Sequence, residues 1–215
     1  MVEKTLVNQL KEILAKGPAE ASKILNIEEL AIHSKGQSFP VDDPRGAKAM
    51  ALTYAKSPKG AHHMFATTFG AELSAGIRFE IEGKGNLERD HQFSMAIVDS
   101  ISLCSTMRAG IPLDNLLKAY STVTGIQHDT TSFLKVAERI VNLERLYNVN
   151  LGMDRRNGFF PKRFLEESLP SGESKGQKVE LDALLDDYYN VMGWNSKGVP
   201  TEEKLKELEL TQYIN

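Results

Sequence analysis

The chain has 215 residues and a formal net charge of −3, which allows one or two domains and offers no basic surface for nucleic acid or an anionic membrane. Its one cysteine, Cys104, excludes an internal disulfide framework and any metal site built from this chain's cysteines alone. No apolar run approaches the roughly 18 residues of a membrane span, and the first residues lack a signal-peptide pattern. We therefore expect a cytoplasmic protein.

The helical period dominates the sequence. Apolar residues from Leu6 to Leu14 predict a first amphipathic helix that should end near Gly17-Pro18, and a second short helix is expected from Ala19 to Leu25. The next predicted elements are a long proline-containing loop over 33–46, a small-residue helix over 47–55 and a helix over 60–74. The alternation of apolar residues that follows this fourth helix is too short to form a sheet.

A buried helix is expected to run from Phe93 to Cys104, because Phe93, Ile97 and Ile101 recur every four residues. Asp99 and Leu103 would share a second face of this helix. Burying a carboxylate without hydrogen-bond donors costs several kcal/mol, so Asp99 should meet donors from the protein or from a bound ligand. Cys104 is open to two interpretations, a small buried hydrophobe or a single metal-ligating thiolate whose companion ligands come from elsewhere.

The second half of the chain carries four further helical stripes. They are expected from Pro112 to Gly125, from Phe133 to Tyr147, from Leu181 to Met192 and from Pro200 to Leu210. A polar linker over 171–178 interrupts them. The sequence thus predicts an all-α, multihelical fold, with a helical domain over 1–170 and a C-terminal helical subdomain over 171–215 packed on it.

Two loop residues have alternative roles that the sequence leaves open. His33 could point into a substrate channel, or it could be solvated beside Lys35. Arg45, within Asp43-Pro-Arg-Gly46, could approach a cofactor or pair with local carboxylates.

Several separated strings resemble the C-terminal helical region of the tungsten-containing aldehyde:ferredoxin oxidoreductase family. The resemblance runs from about residue 6 to residue 210 and keeps the family's order. In the first half it rests on His33-Ser-Lys-Gly, Asp43-Pro-Arg-Gly46, Lys59-Gly-Ala-His-His63 and Asp99-Ser-Ile-Ser-Leu-Cys104. In the second half it rests on Asn142-Leu-Glu-Arg145, Pro161-Lys-Arg-Phe164, 181–189, Gly193-Trp194 and Gly198-Val-Pro-Thr201.

The resemblance implies an oxidoreductase that converts an aldehyde and water into a carboxylate and passes two electrons to ferredoxin. In such enzymes two pterin cofactors hold tungsten beside a 4Fe-4S cluster, and for this chain the resemblance allows tungsten or molybdenum. Asp99 matches the acidic residue that accepts hydrogen bonds from pterin. Leu103 and Cys104 match the motif's end, where the backbone touches pterin and the thiolate ligates the cluster. His63 matches a histidine near the metal that could exchange a proton with substrate.

The sequence also departs from the family pattern. Ser102 stands where the motif has glycine, and His62 precedes His63, which on a helix would point about 100° away. The Cys-x-x-Cys-x-x-x-Cys group that supplies the other cluster ligands is absent. We therefore expect a fragment or subunit that needs an N-terminal cofactor-binding partner, that binds no cofactor alone and that is inactive alone. The alternative is a cofactor-free helical interaction subunit of a split oxidoreductase.

Overall fold

The fold is mostly helical, which confirms the all-α prediction. The computed structural model describes residues 2–40, 42–108, 110–158 and 160–214. Its helices are α1 (Val2–Leu14), α2 (Pro18–Leu25), α3 (Lys48–Lys56), α4 (Phe69–Ala75), α5 (Lys84–Ser100), α6 (Ser105–Arg108), α7 (Leu113–Thr124), α8 (Thr130–Asn150), α9 (Lys162–Glu166), α10 (Leu181–Met192) and α11 (Glu202–Glu207). Short 3-10 turns cover Glu28–Leu30, His63–Phe65, Arg155–Asn157 and Thr211–Tyr213. Among the described helices, none combines the length and apolar character needed to cross a bilayer.

Helix ends fall where the local sequence signals them. Pro112 caps the start of α7 and Gly125, with φ of 74°, ends it in the left-handed conformation. At the start of α8 the Asp129 carboxylate accepts a hydrogen bond from the Ser132 amide at 2.7 Å. The bounds of α10 agree with the prediction at both ends.

The predicted loop over 33–46 contains a small antiparallel hairpin. Its strands are β1 (His33–Ser34) and β2 (Gln37–Ser38), joined by Lys35-Gly36 with φ of 52° and 86°. Two positive φ values are those of a type I′ turn, which suits the twist of a two-residue hairpin loop. The Lys35 ammonium then donates to the Ala55 carbonyl at 2.7 Å and caps the C-terminal end of α3.

The predicted helix over 60–74 is wrong. The structure has a 3-10 turn at its start, and α4 begins only at Phe69. Thr67 has a φ of 62°, which no α-helix accommodates and which separates the two elements. Leu73 remains exposed on α4, so the apolar pattern here does not mark one continuous buried stripe.

The core forms where α5 packs against α3, α8 and α10. Gly85 lets α10 approach closely, because a Cβ there would lie 2.8 Å from backbone atoms of Asp187 and Tyr188. The Asp187 carboxylate accepts a hydrogen bond from the Gly85 amide at 2.7 Å and caps the start of α5. Tyr188 of α10 belongs to the same apolar cluster as Phe93 of α5. The division of the chain at residue 171 stays a prediction, although α10, beyond it, shares this core.

Charged side chains are also buried in this core. The Lys84 ammonium lies 2.6 Å from the Glu72 carboxylate, and both side chains have exposures of 1% or less. Lys56 pairs with Glu88 at 3.0 Å. Thr53 donates to the second Glu88 oxygen at 2.7 Å. For Glu72 the second donor is the Ala49 amide. Each buried carboxylate therefore has a cation and a second hydrogen-bond donor, which reduces the cost of burying its charge.

Helix α1 presents apolar side chains to the surface. Leu6 is 67% exposed and Leu14 is 58% exposed. The sequence predicted the amphipathic helix, and the structure shows that its apolar stripe extends beyond what α2 covers.

Candidate functional site

The C-terminal end of α5 is a Schellman motif. The Ser102 amide donates to the Asp99 carbonyl at 3.2 Å, and the Leu103 amide donates to the Val98 carbonyl at 3.0 Å. Ser102 occupies the left-handed position of this motif, with φ of 57°. The serine therefore keeps the backbone conformation that favours glycine, at the strain cost of a side chain in that region.

Asp99 is exposed, contrary to the expectation of a buried carboxylate. Helix α5 ends at Ser100 and not at Cys104, so the face that Asp99 was expected to bury does not continue along a helix. Phe93 and Ile97 are buried as predicted, while Ile101 is only partly buried. In the described part of the chain no donor lies within hydrogen-bond distance of the Asp99 carboxylate, which leaves it open to a ligand.

Cys104 is exposed in the turn between α5 and α6. Hydrogen bonds from the Thr106 backbone amide, the Thr106 hydroxyl and the Met107 amide lower the pKa of its thiol. The interpretation of Cys104 as a buried hydrophobe is wrong. A solvent-accessible thiol with a lowered pKa is suited to act as a metal ligand.

His62 and His63 do not diverge by a helical step. His62 has an extended backbone, with φ of −110° and ψ of 101°, and the 3-10 turn begins only at His63. Their rings lie side by side, with centroids 6.1 Å apart and planes inclined by 29°. His63 is exposed. The expected divergence of about 100° is wrong because it assumed a helix through both residues.

Burial lowers the pKa of His62, and electrostatic interactions with Lys59 and His63 lower it further. Asp99 acts in the opposite direction, which places the two side chains within electrostatic reach of each other. The buried Nδ1 of His62 has no hydrogen-bond partner in the described part of the chain. The structure thus brings the His62-His63 pair and Asp99 to the same region of the surface.

An open cleft of about 360 Å³ lies between α5 and α8 beside Asp99. Lys59 and Glu144 supply its other charged groups, and Phe65, Gln92, Met95 and Val141 form much of its wall. Although Glu144 as a residue is exposed, burial of its carboxyl group against the cleft raises its pKa, and Lys56 and Lys59 oppose that rise. Among the described residues, His63, Leu103 and Cys104 do not line this cleft.

Sequence reasoning missed Lys59 and Glu144 as cleft residues. Both lie inside strings that carry the family resemblance, Lys59-Gly60 and Glu144-Arg145, so the signal was present but was not assigned a role. Nothing in the periodicity of α8 distinguishes Glu144 from a solvated helix residue. Only the packing of α8 against α5 places it across from Asp99.

The donor chemistry fits one wall of a shared cofactor site. Cys104 offers one thiolate and Asp99 offers one unpaired carboxylate, while the left-handed Ser102 leaves the motif's backbone in the conformation of its glycine-containing form. No group of three histidine, cysteine or acidic side chains arranged for a metal ion occurs within the described ranges. These residues fit a site to which other parts of a protein contribute most ligands.

The profile of one family, described as aldehyde ferredoxin oxidoreductase, domains 2 and 3, matches residues 5–210 of this sequence. The chain belongs to this family. It is 33% identical over 210 residues to the tungsten-containing aldehyde ferredoxin oxidoreductase of Pyrococcus horikoshii, covering 94% of this chain and 34% of that protein. The Pyrococcus abyssi protein of the same name is likewise 33% identical over 210 residues. The chain thus spans about a third of the length of these relatives.

A more distant relative is the aliphatic sulfonate oxidoreductase, WOR-like subunit, of Pyrococcus furiosus, 25% identical over 215 residues. Among solved structures, the active site complex BamBC of benzoyl coenzyme A reductase with 1,5-dienoyl-CoA has the same fold, with a TM-score of 0.68 and 19% identity. That match covers 95% of this chain and 37% of the other. The fold therefore occurs in proteins named for different substrates.

Proposed function

We propose that this chain is the C-terminal helical part of an enzyme that oxidises aldehydes to carboxylates at a tungsten or molybdenum pterin site. The observation that carries the proposal is the end of α5, where an unpaired Asp99 carboxylate and an exposed Cys104 thiol lie on either side of a retained Schellman turn. Membership of the family makes redox chemistry the expected use of that surface. The same proposal places the enzyme in the cytoplasm, with ferredoxin as electron acceptor.

The pterin-held metal and a 4Fe-4S cluster, when bound, supply the two-electron redox chemistry and the path to ferredoxin. The chain's own residues bind these cofactors and orient them. Cys104 ligates iron as a thiolate, which the hydrogen bonds from Thr106 and Met107 favour by lowering its pKa. Asp99 accepts hydrogen bonds from pterin nitrogens, and the backbone at Leu103 contacts the same cofactor.

His63 moves the proton in this proposal. Oxidation of an aldehyde to a carboxylate releases protons, and an exposed imidazole can accept one near neutral pH. The ring of its neighbour His62 lies beside His63, and burial lowers the pKa of His62, which favours the neutral form of that imidazole. Glu144 and Lys59 line the approach to this region.

A second candidate is a cofactor-free helical interaction subunit that docks to a separate catalytic chain. The exposed apolar residues of α1 favour it, because Leu6 and Leu14 form a surface suited to a partner. In either case the remaining cofactor-binding region is the partner. The two candidates differ in whether Cys104 and Asp99 contact a cofactor.

The deciding experiment compares Cys104→Ala and His63→Asn in the assembled enzyme, with aldehyde-dependent dye reduction, iron and tungsten all measured. Cys104→Ala should lose iron. His63→Asn should keep both metals and lose activity by roughly a hundredfold or more, the usual contribution of a positioned proton-transfer group.

His62→Asn is the matched control and should lose much less activity. Equal losses at His62 and His63 would show that the proton role is on the wrong residue. Normal iron content in Cys104→Ala, with normal activity, would favour the interaction subunit over the cofactor wall.

A further inference from the structure

A small cavity that is partly open to solvent adjoins the cleft, between α5, α8 and α10. Its volume is about 20 Å³, above the roughly 10–15 Å³ that one water needs. Phe65, Gln92, Val141 and Glu144 line both the cavity and the cleft, so the two spaces are neighbours. The rest of the cavity lining is Lys56, Pro58, Arg145, Asn148, Met153, Tyr188 and Trp194.

Arg145 is the unusual group in this lining. It is 8% exposed, and its Nε donates to the Gly198 carbonyl at 2.6 Å. Its Nη2 is buried without a hydrogen-bond partner, and in the described part of the chain no carboxylate lies within ion-pair distance of the guanidinium. A buried cation is costly without a paired anion, and one hydrogen bond from five possible donors does not satisfy it.

The neighbouring charges compensate Arg145 only in part. Burial lowers the pKa of Arg145, and Asp154 opposes that shift, but the Asp154 carboxylate is already paired with Arg156 at 2.6 Å. Lys56 lies against Glu88 at 3.0 Å and donates to Gln92 at 2.6 Å, so the one fully buried carboxylate nearby already has a cation. Glu144 also lines the pocket, where burial raises its pKa and Lys56 and Lys59 oppose that rise. Arg145 itself is stacked 5.2 Å from the Trp194 ring centroid.

We propose that this cavity is a binding subsite for the carboxylate group of a small molecule, held by Arg145, with the remainder of the molecule in the cleft towards Asp99. The guanidinium presents parallel N–H donors that match the two oxygens of a carboxylate. The cavity has room for a small end group only, while the adjoining cleft has room for a longer chain. The subsite is a property of this chain and does not depend on the proposed function.

Trp194 makes the test direct, because it is the chain's one tryptophan and it lines the cavity. The experiment titrates the full chain with sodium formate, the smallest carboxylate, and follows Trp194 emission at constant ionic strength. Formamide, which has nearly the same shape and no charge, is the matched ligand control. We expect a saturable change with formate and none with formamide or chloride.

Three variants assign the response to Arg145. Arg145→Met should abolish the response. Arg145→Lys keeps the charge but lacks the parallel N–H donors of the guanidinium, and it should weaken formate binding at least about tenfold. Arg139→Met on the same helix should respond like the unmodified chain, because the Arg139 side chain is 37% exposed and its guanidinium contacts Leu208 outside the cavity. Circular dichroism checks that each variant is folded.

If Arg145→Met fails to fold, Arg145→Lys and the comparison of formate with formamide still decide the question. Formate should also raise the thermal midpoint of the unmodified chain, which gives a second readout. The proposal is overturned if formate has no effect by either readout, if formamide or chloride acts equally, or if the folded Arg145 variants respond like the unmodified chain.

Discussion

The two ends of helix α5 treat charge in opposite ways. Near the start, Lys84 and Glu88 are buried, and each forms an ion pair of 3.0 Å or less with a residue from another part of the chain. At the far end, Asp99 and Cys104 are exposed, and the Asp99 carboxylate has no hydrogen-bond donor among the residues that the structure describes. We call the start of α5 the closed end, because its charged side chains are buried and paired. The other end is called the open end, because its polar groups are exposed.

The difference separates structural charges from candidate functional ones. A buried ion pair is costly to break, because removing one partner leaves the other charge buried and uncompensated. An exposed carboxylate costs the fold nothing and keeps its oxygens free to accept new bonds. The predictions below test whether the start of α5 serves stability and the end of α5 serves binding.

The largest expected effect is at the closed end. Lys84→Met leaves Glu72 buried without its cation, and should lower the free energy of unfolding by about 3–5 kcal/mol at neutral pH. Urea unfolding followed by circular dichroism measures it.

The loss of stability in Lys84→Met should also depend on pH. Burial raises the pKa of Glu72, against the Ala49 amide and Lys84, so the folded state binds the proton more tightly than the unfolded state. Stability from this group is present at low pH and is lost as pH rises through its raised pKa. The loss of stability in Lys84→Met should therefore shrink as pH falls towards 4.5, the ordinary pKa of glutamate.

Lys206→Met, in an exposed pair with Glu202, is the control, and its stability should change little at any pH. A pH-independent deficit in Lys84→Met would show that lost packing, and not charge, explains it.

A smaller effect, of opposite sign, is expected at the open end. Ser102→Gly relieves a left-handed residue and should raise the free energy of unfolding by about 1 kcal/mol. Ser100→Gly, at the last helical residue of α5, is the matched control and should lower it by about 0.5 kcal/mol. If both glycines destabilise, the strain at Ser102 is compensated by contacts of its side chain.

The smallest effect concerns the Cys104 thiol. Its alkylation by iodoacetamide should reach half of its maximal rate below pH 9.0, because hydrogen bonds from Thr106 and Met107 favour the thiolate. Thr106→Val removes the hydroxyl donor and should move that midpoint upward, while the two backbone donors remain. Rates measured between pH 6 and pH 10 give the midpoint. An unchanged midpoint in Thr106→Val would mean that the backbone amides alone set the thiol's reactivity.

The sequence predicted the helices best where their ends carry local signals. Pro112 and Gly125 fixed the bounds of α7, since a proline and a left-handed glycine act on their own turn of helix. The predicted helix through His62 and His63 failed because the conformation there depends on Thr67, a residue whose positive φ no local rule anticipates.

The candidate site was predictable in part. The string from Asp99 to Cys104 and the other matching strings, taken in order, identified the family, which the match over residues 5–210 confirms. The reasoning gave the wrong environment for the Asp99 carboxylate. Periodicity placed Asp99 on a buried helix, whereas the helix ends at Ser100 and leaves it in solvent. The roles of His63, Asp99, Leu103 and Cys104 stay predictions.

What the sequence alone determined was the helical fold, the positions of most of its helices and the family, because these depend on local propensity and on strings of neighbouring residues. Only the tertiary structure decided which charges are paired, since Lys56 meets Glu88 and Glu144 faces Asp99 across helices far apart in sequence. The cavity at Arg145 likewise exists only where α5, α8 and α10 meet. Distance in space governs electrostatic and hydrogen-bond energies, and only the packed chain sets those distances.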